Sequence, residues 1–285
     1  MQSIPSPLLV LHSEARLRTR LRSLAAERGY ELELLGSWHQ LADAARTAPA
    51  SALIVVDPYE AVTDRSQVSA ELARLLEQLP SLTVTAALPV EPGRVGDIRR
   101  LGELGVVQVV DLEEETTLVA VAQRLSSARG RPLRTLMDRA LPDSASGAAR
   151  AILAAATSIV ADGGQGQDLA RSLDVTPRTV SRWCRRASLP PPKRLLAWMR
   201  ILLAAELLDD PGRRISDVAI ACGYAADSSL RHTLRTFLRM TPTELRANGA
   251  FAVSSRLFLE ALAEARSSEK RYRVPSTRLG KELKN

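Results

Sequence analysis

Two short stretches carry side chains whose types and spacing suit chemistry. The first is DLARSLDVTPRTVSRWCRR, from Asp168 to Arg186. Read as a helix after Thr176, it sets Val180, Trp183, Cys184 and Ala187 at i, i+3, i+4 and i+7, one apolar stripe for burial. Arg178, Ser181, Arg182 and Arg185 take the same spacing on the opposite side. Guanidinium groups beside a hydroxyl make a cationic, hydrogen-bonding ridge that suits phosphate or water. The second stretch is LIVVDPY, in which Asp57 closes an apolar run. Ligands of parallel sheets bind outside the carboxyl ends of the strands, so a carboxylate there is a candidate reactive group.

The ridge must be held by neighbouring elements. Thr176 suits an N-cap and Pro177 the first helical position. The preceding DLARSLDV reads as a short helix with Leu169, Ala170 and Leu173 turned inward, joined by a tight turn at Asp174. This is a helix-turn-helix. The pattern recurs about 50 residues later in DVAIACGY, with Gly223 supplying the turn, and ADSSLRHTLRTFLR. There Leu230, Thr233, Leu234 and Phe237 face inward, and Ser228, Arg231, His232 and Arg235 face outward. Between the copies, PPKRLLAWMRILLAAELL reads as a helix of roughly 25 Å. Such a spacer sets two reading helices about one DNA turn, ~34 Å, apart. The alternative for the repeat is an all-helical docking module that never meets nucleic acid.

Asp57 belongs to a different kind of half. Strand-like runs PLLVLHS, YELELLGS, SALIVVDP, LTVTAAL and VVQVVDL alternate with helical patterns, the first with Leu17, Leu21, Leu24 and Ala25 on one face. Five such units predict a doubly wound, five-stranded parallel sheet. Charge divides the same way. Residues 1–128 hold 12 Arg, no Lys and 17 acidic residues, a balance of −5, whereas residues 129–285 hold 27 basic and 15 acidic residues, a balance of +12. The asymmetry points to a polyanionic partner for the second half alone.

Other chemistry finds little support. No apolar run has the roughly 18–20 residues of a membrane span, and no leader pattern is present, so a cytoplasmic protein is expected. Cys184 and Cys222 lack metal or redox spacing, and His12, His39 and His232 are scattered. Phosphate-binding glycine loops, dinucleotide fingerprints and nucleophile elbows are missing. No enzyme, cofactor or metal is expected.

Residues 148–248 resemble the AraC/XylS-type DNA-binding domain of bacterial transcription regulators. The resemblance rests on LARSLDVTPRTVSRWCRR, RILLAAELL and VAIACGYAADSSLRHTLRTFLRMTPTELR. It implies that the two recognition helices enter successive major-groove segments of double-stranded DNA. It places base-edge contacts on Arg178, Ser181 and Arg182, and on Asp227, Ser228 and His232 with Arg231 beside them. Arg185, Arg186 and Arg235 fall to phosphates, with Thr241 and Thr243 as weaker backbone contacts. Arg239 stands where the family has Gly before MTP, and Cys184, Leu230, Leu234 and Leu245 occupy its usual aromatic positions.

Residues 6–128 resemble the CheY-like receiver domain, which implies a phosphate-accepting role for Asp57. Two departures oppose that role. His12 and Ser13 stand where the family's acidic pair holds Mg²⁺, leaving only Glu14 beside them. At the end of the fifth strand, Leu112 and Glu113 follow Asp111 in place of the family's Lys, and no arginine is expected near that strand end. A degenerate receiver is expected, with Asp57 hydrogen-bonded to nearby backbone N–H groups. A phosphorylation-dependent response regulator using Asp57 is the alternative.

The expected layout is a receiver-like α/β domain over 1–128, a linker with one short helix over 129–147, an all-α double helix-turn-helix domain over 148–250, and a helix with a basic tail over 251–285. In the last, Phe251, Leu257, Phe258 and Leu262 are packing candidates. Ser267 onward, with Lys270, Arg271 and Arg273, reads as a disordered, phosphate-attracting tail. A homodimer through the first half and contact with RNA polymerase are further expectations.

Overall fold

The structure, a computed structural model, describes residues 6–62, 67–91, 93–115, 117–125, 146–161, 164 and 166–273, with side chains through residue 266. Strands β1 (Pro7–Leu11), β2 (Glu31–Leu34), β3 (Leu53–Val56), β4 (Val84–Leu88) and β5 (Gln108–Asp111) form one sheet. Its order is β2-β1-β3-β4-β5, and every pairing is parallel. Side chains alternate across the pleat, so Leu8 and Val10 enter one core while Leu9 and Leu11 enter the other. Helix α1 (Ala15–Arg28) and helical residues 118–125 (α5) cover the first face. Helices α2 (Trp38–Thr47), α3 (Ala70–Gln78) and α4 (Val95–Glu103) cover the second. Leu17, Leu21, Leu24 and Ala25 are the buried residues of α1, the face read from their spacing. Trp38 opens α2, is buried, and donates its Nε1 proton to the Glu60 carbonyl at 3.0 Å.

The second half is helical: α6 (Gly147–Ala161), α7 (Gly166–Ser172), α8 (Pro177–Arg186), α9 (Pro192–Leu208), α10 (Ile215–Ala221), α11 (Asp227–Leu238), α12 (Pro242–Ala247) and α13 (Ala250–Arg273). Pro192 starts α9 at its first turn, where a missing N–H costs nothing. Buried residues run all round α9, including Leu195, Trp198, Met199, Ile201, Leu202 and Ala205, as befits the central helix of a bundle. Trp198 meets Phe237 edge-on at 5.4 Å and Phe258 at 5.6 Å. Cys184, Leu230, Leu234 and Leu245 are fully enclosed, so aliphatic side chains and a thiol fill the positions the resemblance gives to aromatics.

Helix α13 departs from its expected extent. Phe251, Phe258 and Leu262 are buried as expected, but the helix runs to Arg273, through Lys270 and Arg271. SSEKRYR contains neither Gly nor Pro, so no helix-breaking residue interrupts α13 up to Arg273. The basic tail beyond 273 and the short helix expected in the linker lie outside the described residues.

The two halves meet at the loop 209–213, which joins α9 to α10. Arg213 donates to the Arg46 carbonyl in the last turn of α2, and the Gly212 N–H donates to the Gln78 carbonyl ending α3 at 2.8 Å. Carbonyls in a last helical turn lack intrahelical partners, so this loop caps two helices of the other half. Asp210 accepts from the Ser81 N–H at 3.0 Å and from its hydroxyl, and pairs with Arg213 at 2.9 Å, both charges buried. Burial pushes the Asp210 carboxyl up, while Ser81 and Arg213 pull it back. A Cβ on Gly212 would stand 2.9 Å from the Gln78 Cβ and 3.0 Å from its carbonyl oxygen, so only glycine permits the approach. Helix α10 packs on α2, and the Ser51 hydroxyl donates to the Ala161 carbonyl ending α6.

Candidate nucleic-acid interface

The two helix-turn-helix copies close with the same hydrogen bonds. In the first turn, the Asp174 N–H donates to the Arg171 carbonyl at 3.1 Å and the Val175 N–H to Ala170 at 2.9 Å. In the second, Gly223 donates to Ile220 and Tyr224 to Ala219, each at 2.9 Å. Asp174 (φ +50°) and Gly223 (φ +70°) occupy the left-handed region at matching places. Each turn thereby sets its following helix, α8 or α11, at a fixed angle to the one before.

Inward faces follow the sequence pattern with one gradation. Leu169, Ala170, Val180 and Cys184 are buried, as are Leu230 and Leu234. Leu173, Trp183, Ala187, Thr233 and Phe237 are only half-buried, because they lie at the edge of the stripe. Burial pushes the Cys184 thiol up to about 11 and the Cys222 thiol up to about 12, so both stay protonated and act as small apolar side chains.

The outward faces carry the expected residues. Arg178, Ser181, Arg182, Arg185 and Arg186 on α8 are all exposed. So are Asp227, Ser228, Arg231, His232 and Arg235 on α11. The Ser181 hydroxyl donates to the Pro177 carbonyl at 3.0 Å, and Arg231 reaches Asp227 at 3.4 Å. The helix starts differ. Thr176 caps α8 by accepting from the Thr179 N–H at 3.3 Å, whereas Ala226 gives α11 no side-chain cap. Thr241 is engaged in a capping box with Glu244 at the start of α12, while Thr243 is exposed.

A helix-turn-helix domain family model matches residues 169–248, the span that holds both copies. Residues 169–248 are a helix-turn-helix domain of the AraC type. DNA-binding transcription regulation is the function that goes with such a domain. No curated protein matches the sequence. Among solved structures, full-length FixJ from B. japonicum is 17% identical, over 71% of this chain and 97% of that one, at a TM-score of 0.32. The response regulator StyR is 18% identical, over 67% of this chain and 96% of that one, also at 0.32.

At the strand ends of the other half lies a separate crevice of about 220 Å³ lined by His12, Glu14, Asp57, Tyr59, Glu91 and Arg94 among others. Asp57 is buried at the end of β3 and accepts from the Tyr59 N–H at 2.9 Å. His12 Nδ1 accepts from the Glu14 N–H at 3.1 Å, which leaves Nε2 to donate to the Ala87 carbonyl at 3.1 Å. Arg94 corrects the expectation that no arginine comes near. It enters from the loop after β4 and lies over the Tyr59 ring at 4.8 Å. Its distance along the chain from both Asp57 and the end of β5 concealed it. Tyr59 donates to Asp97 at 2.7 Å, and burial, then Asp97, pushes its hydroxyl up.

Proposed function

We propose that this chain is a sequence-specific transcription regulator in which α8 and α11 enter adjacent major-groove segments of one duplex. The observation that carries the reading is the duplication. Two turns with matching hydrogen bonds each present an exposed polar stripe, and the basic excess falls in the half that contains them. Arg178 and Arg182 suit bidentate bonding to guanine O6 and N7, and Ser181, Ser228 and His232 suit other base edges. Arg185, Arg186 and Arg235 meet phosphates, which fix register without reading sequence. Helix α8 bears more cations than α11 and dominates base reading. Residues 1–128 serve as a regulatory or dimerising module, linked through 129–147 to the reading domain over 148–250.

Regulation in this reading does not use phosphate on Asp57. The imidazole of His12, engaged with backbone on both sides, stands where Mg²⁺ would need a carboxylate. Incubation with acetyl phosphate and Mg²⁺ is expected to leave Asp57 unmodified; a stoichiometric, acid-stable adduct overturns this part. Selection from random duplexes, followed by a salt titration, tests the main reading. An enriched site whose affinity falls steeply with salt is expected. Absence of any enriched site, with retained binding to a partner protein, would replace the reading with a docking module.

A further inference from the structure

A cleft of about 520 Å³ opens between the end of α8, the turn 188–192, the start of α9 and the far part of α13. Small-molecule sites typically span about 300–1,000 Å³ with mainly apolar walls and a few convergent polar groups. Leu189, Pro190, Pro191, Ala261 and Ala265 supply such walls here. Consecutive prolines at 190–192 fix the backbone of one wall, so it exists before any ligand arrives. Arg185, Arg194 and Glu264 are the charged residues among those that line the cleft. Neither arginine has a carboxylate partner within 4.0 Å among the described residues. Arg194 is held against the Phe237 ring at 5.8 Å. Apolar walls with two cations and one anion among the lining residues complement a small organic anion with a hydrophobic body.

We propose that this cleft binds such a ligand, an aryl or alkyl carboxylate, with its carboxylate toward Arg185 and Arg194. Ser181 and Arg185 belong both to the cleft and to the outward stripe of α8. An occupant therefore competes with DNA for the same side chains, a consequence that rests on the DNA-binding reading given above.

The probe is 2-naphthoate, titrated calorimetrically into the full chain without DNA. One saturable site is expected. Arg194→Glu, which reverses a charge at an exposed position, and Ala261→Trp, which fills the cleft, each weaken it about tenfold or more, about 1.4 kcal/mol. The uncharged 2-naphthamide binds weaker by a similar factor. Absence of saturable binding, or binding that Arg194→Glu leaves unchanged, overturns the site, and that variant remains informative if the tryptophan disturbs folding. A second titration adds a duplex obtained by selection, whose affinity is expected to fall about tenfold at saturating 2-naphthoate. A chain that takes 2-naphthoate but no duplex overturns the DNA reading and leaves the cleft standing. A chain that holds both without loss overturns the competition.

Discussion

Arg239 ends α11 in the left-handed region, at φ +59°, as its C-cap. An L-residue there costs about 1–2 kcal/mol, which glycine avoids. Arg239→Gly is therefore expected to stabilise the protein by about 1 kcal/mol, partly offset by the freedom glycine gains when unfolded, and to raise the melting temperature. A lowered melting temperature would mean that the arginine makes compensating contacts. Cys184 and Cys222 give a second expectation. Their folded-state values, about 11 and about 12, lie above those of ordinary thiols, so thiolate forms only as the pH rises through that range. Alkylation of native protein is expected to stay slow through pH 9 and to accelerate on unfolding. On the outward face, Arg182→Ala is expected to cost about 1–3 kcal/mol of binding to a selected operator and to relax specificity, more than His232→Ala does. An equal or larger loss from His232→Ala would contradict the dominance of α8.

Between elements, the loop 209–213 does several tasks at once. It caps α2 and α3, pairs Asp210 with Arg213, and offers Asp209 to the Ala250 and Phe251 N–H groups at the start of α13, at 2.7 and 3.0 Å. Arg246 of α12 braces the end of α9 through the Leu208 carbonyl and the loop through the Arg213 carbonyl, both at 2.8 Å. Removing one member of a buried ion pair leaves the other uncompensated, at about 3–5 kcal/mol. Arg213→Ala is expected to cost that much in denaturant unfolding; a loss below 1 kcal/mol, about that of a surface pair, would show that water reaches Asp210. The α11 start offers a gain instead, since Ala226→Ser adds the cap that Thr176 provides to α8. About 1 kcal/mol of added stability is expected, read by thermal melting.

At the scale of the whole molecule, the half built on the parallel sheet is fastened to the segment that joins the two helix-turn-helix copies. The charge distribution acts over the same scale. Each phosphate contact contributes about 0.9 to the slope of log affinity against log salt. Arg186→Ala is expected to reduce that slope by about 0.9 and leave sequence preference unchanged; altered preference would move Arg186 from phosphates to bases.

Local pattern alone determined the five strands, the buried face of α1, the duplicated turns and the outward stripes. Period-2 and period-3.6 burial, and the few residues that tolerate left-handed turns, act over short stretches of chain. Long-range contacts decided the rest. Arg94 reaches the crevice of Asp57, Gly212 seats against Gln78, and Asp210 and Arg213 are buried together between the halves. No periodicity records such meetings, because they arise only when segments far apart in the chain exclude water from between them. The role of the DDPGR segment as a joint exists only once α2 and α3 present their unpaired carbonyls to it.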